Sequence, residues 1–290
     1  MKKTKLYAWG AALLASLTIA LAVSGGCSSA EAAPLKTALD APGNTASAVL
    51  QVVDNKGPWA NNPQAAQFGQ WFEFNDAYDY VAATNWTQNL TETGTGEGDP
   101  ALNLTTGVKG GALVCTNDDA DNDRVEITHK QEMYYLEAGD KLVFNANITT
   151  GSDVTEVDLA FGIGITDNDF LGDTAVISDG IFFEKNDGDA YLDLVCAKDA
   201  AATSDYTRQA ALYTLAASTT YKLTFVVEVN SSDSTKARIR AFVNNSQVYS
   251  GYVTTDIPND EYLCIIFGIQ NGAAASKSVT VNSIGCAESY

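Results

Sequence analysis

From about Val114 to Cys286 the chain alternates apolar and polar residues, and Gly, Asn or Asp interrupts the alternation at short intervals. Successive side chains of a strand point to opposite faces, so an alternating run offers one face to a core and the other to water. In Tyr221-Lys222-Leu223-Thr224-Phe225-Val226-Val227-Glu228-Val229, the residues Tyr221, Leu223, Phe225, Val227 and Val229 share one face. The same reading places strands near 111–116, 124–129, 141–149, 155–166, 179–185, 189–197, 208–215, 220–230, 236–243, 246–253, 261–270 and 277–285. Short strands at regular spacing with turn residues between them specify an all-β fold, an antiparallel β-sandwich or jelly roll. Asn244-Asn245 between two such runs reads as a tight hairpin, because Asn tolerates the positive φ such turns need.

Domain organisation follows from length and from the N-terminus. The chain has 290 residues, and all-β sandwiches of roughly 200–250 residues commonly form one unit. Lys2, Lys3 and Lys5 precede the uncharged apolar stretch Leu6 to Val23, which ends in Ser24-Gly25-Gly26-Cys27. This pattern is that of an export signal peptide, and its end resembles a bacterial lipoprotein signal with Cys27 as the lipidation site. Cleavage near Ala30-Glu31-Ala32 and retention as a short membrane anchor are compatible with the same residues. The expected division is 1–27 export signal, 28–69 linker or docking arm, and 70–290 β-sandwich. The expected location is exported, at the cell surface or extracellular, with the membrane engaged only through the signal or a lipid.

Charge narrows the partners. The formal charge is −19, and without the three signal lysines it is about −22, a field that repels phosphate-rich polymers. Nucleic acid is therefore excluded as an expected partner. The acidic surface also favours solubility. If Cys27 is acylated, Cys115, Cys196, Cys264 and Cys286 remain, an even number that allows up to two disulfides in an exported chain; none has the close paired spacing of a zinc site. Cys196 shares its strand face with Leu192 and Leu194, and Cys264 lies in the apolar run Leu263 to Phe267, where buried free thiols are expected.

Catalytic chemistry finds little in the sequence. His129 is the single histidine, at the end of the apolar face Val125, Ile127, His129, where a structural role is expected rather than a general base. Glycosidases of the laminarinase type carry Glu, Asp and Glu two apart on one strand face. Here Glu156 and Asp158 are followed by Ala160, so the second glutamate is missing and no enzyme activity is expected. Asp119, Asp121 and Asp123 alternate like the first ligands of a calcium loop, but Arg124 and Lys130 stand where an EF-hand needs Gly and Glu. A looser calcium site is compatible with these three or with Asp187 and Asp189, residues that also populate turns for local reasons.

Two resemblances bear on function. Tyr221 to Val227 followed by Arg238-Ile239-Arg240-Ala241-Phe242-Val243-Asn244-Asn245-Ser246-Gln247-Val248 resembles the late strands of concanavalin A-like and laminin G-like sandwiches. Asp121-Asn122-Asp123-Arg124-Val125, Gly162-Ile163-Gly164-Ile165-Thr166-Asp167, Asp179-Gly180-Ile181-Phe182-Phe183-Glu184-Lys185, Asn186-Asp187-Gly188-Asp189, Ile257-Pro258-Asn259-Asp260-Glu261 and Phe267-Gly268-Ile269-Gln270-Asn271-Gly272 together resemble tailed-phage virion structural proteins. The second resemblance implies a non-catalytic module of the head or tail surface, engaged in assembly with a protein partner or in adhesion. The alternative is an exported lipoprotein that binds surface polysaccharide on the concave face of the sandwich, with Trp86, Tyr191 or Tyr206 stacking on sugar rings.

Overall fold

The computed structural model describes residues 69–73, 85–93, 100–105, 111–165, 170–171 and 176–289. The signal, Cys27 and the arm up to residue 68 lie outside the described residues. Residues 67–290 form a compact unit built from β1 (Gly69–Glu73), β2 (Trp86–Thr91), β3 (Ala101–Thr105), β4 (Ala112–Thr116), β5 (Arg124–His129), β6 (Lys141–Thr150), β7 (Val157–Gly164), β8 (Gly180–Lys185), β9 (Tyr191–Ala197), β10 (Thr207–Thr214), β11 (Thr220–Asn230), β12 (Asp233–Val243), β13 (Ser246–Val253), β14 (Cys264–Asn271) and β15 (Ser278–Ser289). One sheet runs β13-β12-β11-β6-β15-β4-β3, with β1 also paired on β15; the other runs β10-β9-β8-β7-β14-β5-β2. The strand pairings are antiparallel.

Alternation builds the core as the sequence leads one to expect. Tyr221, Leu223, Phe225, Val227 and Val229 of β11 are all buried in one apolar cluster with Leu159, Phe161, Ile181, Phe183, Phe267 and Ile269 of the other sheet. Phe225 stacks on Phe144 at 4.9 Å between ring centroids and meets Phe183 of the facing sheet at 5.7 Å. Each such fully buried side chain contributes roughly 1.5–3 kcal/mol. At the β12–β13 hairpin, Asn244 and Asn245 adopt φ of 51° and 64°, and Val243 pairs with Ser246 across them.

Strands β2 and β3 are not among those expected from the pattern. Each is the edge of its sheet, and their residues Trp86-Thr87-Gln88-Asn89-Leu90-Thr91 and Ala101-Leu102-Asn103-Leu104-Thr105 include few of the strongly apolar residues that mark interior strands. Polar edge strands resist adding a further strand, and the same property mutes their signal in sequence. Pairing on β5 sets Trp86 opposite His129, which places Trp86 in the core.

Candidate functional site

The second sheet carries a further layer on its outward face. Ala160 (β7), Phe182 (β8), Val195 and Ala197 (β9), and Cys264 and Ile266 (β14) point away from the main core. Phe170, Ile177 and Ala200 cover them, with Leu171, Val176 and Tyr206 packed alongside. The covering segments leave a cleft of about 170 Å³ lined by Asp158, Ala160, Phe170, Phe182, Glu184, Tyr206 and Gln270, among others. This is the candidate site.

Register explains its floor. Ala160 pairs with Gly268 on one side and with Glu184 on the other. Gly268 pairs in turn with Glu126, and Glu184 with Asp193. One row across the outward face therefore holds Glu126, Gly268, Ala160, Glu184 and Asp193, with its two smallest residues in the middle. A Cβ on Gly268 would come within 2.8 Å of both the Val125 carbonyl oxygen and Leu171 Cδ1, so the glycine keeps the floor clear beside the Phe170–Leu171 segment. Glu126, only 1 % exposed, fixes that segment. Its Oε1 accepts the backbone N–H of Phe170 at 2.6 Å and of Leu171 at 2.7 Å. Its Oε2 accepts from Asn89 Nδ2 at 2.7 Å and faces Arg124 Nε at 3.3 Å.

The opposite wall is Tyr206, which follows a short 3-10 turn at Thr203–Asp205. Its ring meets Phe182 edge-on at 5.8 Å, and its hydroxyl oxygen accepts the N–H of Ile177 at 2.8 Å. Burial pushes the phenol up to about 12, so it stays neutral. Asp158, Glu184 and the exposed Asp187 are the carboxylates that line the cleft. Asp158 Oδ1 accepts the N–H of Asp187 at 2.7 Å. Burial lifts its pKa to about 6, and that hydrogen bond offsets only part of the rise. Glu184 Oε2 is bonded by Arg208 and, at 3.3 Å, by Asn186 Nδ2. Burial raises Glu184 as well, against the downward pull of the Arg208 guanidinium. Arg208 also holds Asp193 at 3.1 Å. Lys185, which also lines the cleft, is buried and donates to the carbonyl oxygens of Thr155, at 3.1 Å, and Val157. Burial lowers its ammonium to about 8.

The structure sorts the residues singled out in the sequence. Tyr206 lines the cleft. Tyr191 is 47 % exposed and lies on the outward face, outside the cleft lining. Trp86 corrects the expectation of a sugar-stacking residue: it is fully buried in the core, edge-on to His129 at 5.0 Å and to Phe267 at 5.6 Å. His129 is buried beside it, its Nδ1 accepts the N–H of Gln131 at 3.2 Å, and burial lowers its pKa. Asp158 reaches the cleft, while Glu156 precedes β7 and is exposed. Glu184, Arg208 and Gln270 were not singled out, because only strand register reveals that Glu184 and Gln270 share the cleft with Asp158 and that Arg208 holds Glu184.

Of the candidate calcium ligands, Asp123 and Asp189 serve the backbone. Buried Asp123 accepts the N–H of Thr93 at 2.8 Å through Oδ1 and of Ala120 at 3.2 Å through Oδ2. Asp189 Oδ1 accepts the N–H of Tyr191 at 2.8 Å. Asp119, Asp121 and Asp187 are exposed. Among the described residues, no group of three or more His, Cys, Asp or Glu side chains is placed to hold a metal ion. Cys115, Cys196, Cys264 and Cys286 are free and buried. Burial raises all four thiols, Cys196 and Cys264 to about 12.

No protein-family model matches the chain, and no curated protein matches it in sequence. Solved structures do match in shape. The carbohydrate recognition domain of Emp47p aligns with a TM-score of 0.52 at 12% identity, over 77% of this chain and 96% of that one. An endo-1,3-beta-glucanase from Streptomyces sioyaensis gives 0.51 at 14% identity, over 76% and 95%. A protein of unknown function from Shewanella oneidensis MR-1 gives 0.50 at 19% identity, over 77% and 86%. Similarity at this level establishes a fold and leaves function to the site: the chain folds as a concanavalin A-like jelly-roll sandwich.

Proposed function

We propose that the outward cleft of the second sheet binds a glycan, and that the chain is an exported surface module with polysaccharide as its partner. The observation that supports this best is the juxtaposition of Tyr206, Phe182 and Phe170 with Gln270, Asn186, Glu184 and Asp158 around one cleft. Sugar rings present C–H groups on their faces and hydroxyls at their edges, and they need apolar ring surface beside a few placed polar groups. A volume of about 170 Å³ is below that of a drug-sized pocket and suits a single ring of a longer chain. The lining carboxylates Asp158, Glu184 and Asp187 outnumber the lining cation Lys185, in a strongly acidic molecule. A polyuronate would be repelled by that field, so the ligand class is a neutral glycan.

Titration calorimetry tests this with laminarin, lichenan and xylan oligosaccharides against an alginate oligomer, at physiological salt. Binding to a neutral glycan is expected, weakened about tenfold or more in Tyr206→Ala, as the loss of about 1.4 kcal/mol of ring contact implies. Binding of alginate alone, or indifference to Tyr206→Ala, would contradict the reading. Export through the Lys2–Cys27 segment belongs to the same proposal. Labelled palmitate should appear on the protein in expressing bacteria and vanish in Cys27→Ala. The phage resemblance offers the rival assignment, assembly on a virion surface, in which Tyr206→Ala would be silent.

A further inference from the structure

We infer that the cleft also cleaves its glycan, with Asp158 on β7 as general acid and Glu184 on β8 as general base. The inference rests on the glycan-binding reading. The expectation of no glycosidase chemistry rests on Ala160 standing in place of a carboxylate on the strand that carries Asp158. Strand register removes that ground, because Glu184 is the residue paired with Ala160. The missing carboxylate is supplied from the neighbouring strand, on the same face and in the same cleft.

The geometry around each carboxylate fits a distinct role. Asp158 is held through Oδ1 by the N–H of Asp187. Glu184 is held through Oε2 by Arg208 and Asn186. Among the described residues, neither Asp158 Oδ2 nor Glu184 Oε1 receives a hydrogen bond from the protein, so each group is anchored by one oxygen and offers the other. Their environments also differ: a guanidinium bonds Glu184 directly and favours its ionised form, whereas Asp158 has no cation within bonding distance and keeps its proton more readily. Burial raises both carboxyls, but only Glu184 has a bonded cation pulling against the rise, which suits Glu184 to the base and Asp158 to the acid of a general acid–base pair.

Asp158 and Glu184 are diagonal neighbours across the β7–β8 ladder, a relation with Cα atoms roughly 7–8 Å apart. Inverting cleavage needs room for a water between base and sugar, a carboxyl separation of about 6.5–9.5 Å, and the diagonal placement of Asp158 and Glu184 is assigned to it. In the step that follows, Glu184 Oε1 takes a proton from the water as the water oxygen bonds to the anomeric carbon. The bond from that carbon to the glycosidic oxygen breaks, and Asp158 delivers its proton to the departing oxygen. The products are two shorter glycans, one with a new reducing end of inverted configuration. Proton exchange with solvent then restores both carboxyl groups.

The test uses the full chain with laminarin, lichenan and xylan as probes, reading reducing-end release, the anomer first formed by proton NMR, and binding by calorimetry in parallel. Asp158→Asn and Glu184→Gln preserve shape, and a thermal melt of each checks the fold. Release with inversion is expected, falling by about 10²–10⁴-fold in either variant while binding persists, and falling in the parent protein as pH rises above about 6. Binding without release overturns the inference and leaves the binding reading standing. Neither binding nor release sinks both. Release that survives both substitutions, or that retains configuration, also overturns it.

Discussion

Glu126 is the residue on which the cleft depends without lining it. It accepts charge-assisted hydrogen bonds from the backbone N–H groups of Phe170 and Leu171, at 2.6 and 2.7 Å. Glu126→Gln keeps the shape and removes the charge. A hydrogen bond to a charged group contributes about 1.5–3 kcal/mol against about 0.5–1.5 for a neutral one, so the two backbone bonds together lose roughly 2 kcal/mol. The new amide nitrogen must also face either the Asn89 amide or the backbone donors, and the ion pair with Arg124 at 3.3 Å is lost. Breaking a buried pair from one side costs about 3–5 kcal/mol; the side chain of Arg124 is 14% exposed, so water recovers part of this. A total near 3 kcal/mol is expected, or about 6–12 °C in midpoint at about 2–4 °C per kcal/mol for a domain of this size. Thermal unfolding followed by near-ultraviolet circular dichroism measures it. Glycan affinity should fall in the same variant, since the wall formed by Phe170 is no longer pinned. A midpoint within about 1 °C of the parent, with unchanged affinity, would refute the reasoning.

Three further outcomes follow from other ionisable groups of the sandwich. Burial lifts Glu288 to about 8 from 4.5, with Asp140 and Glu137 adding repulsion; a raised acid binds its proton more tightly in the folded state, so this stability is full below pH 4.5 and lost as pH rises towards 8. Chemical unfolding across that range should show the decline, and Glu288→Gln should flatten it; an unchanged slope would contradict the assignment. In Cys27→Ala protein a thiol reagent should titrate no cysteine in the native state and all four of Cys115, Cys196, Cys264 and Cys286 in denaturant, and native-state reaction would show that these thiols are reachable. Since Asp123 and Asp189 are committed to backbone N–H groups, millimolar calcium and magnesium should shift the melting midpoint equally at fixed ionic strength; a selective calcium shift would reveal a site that these bonds do not foresee.

The fold was legible because alternation is a local property: the core face of β11 can be read from nine consecutive residues. The site was legible only in part, because it is a property of register. Asp158 stands out through its spacing from Glu156, yet Glu184 looks like an ordinary surface residue until β7 and β8 are aligned with Ala160 opposite it. Trp86 misleads for the same reason. In its own strand it sits among Thr, Gln and Asn like an exposed aromatic, and only the pairing with His129 on β5 turns it inward. Tyr206 is the one stacking candidate that reaches the cleft, carried there by the 3-10 turn before β10, a feature without a periodic signature.

The claim that the outward cleft is the glycan site is tested most directly by mapping where a glycan touches the protein. Neutral oligosaccharide should be titrated into isotopically labelled protein while amide and aromatic resonances are followed. The account predicts saturable shifts confined to Tyr206, Phe182, Asp158, Glu184, Gln270 and the Phe170–Leu171 segment, with Tyr191 and the first sheet unmoved. Saturable shifts on the first sheet or around Tyr191, with these residues silent, would contradict it.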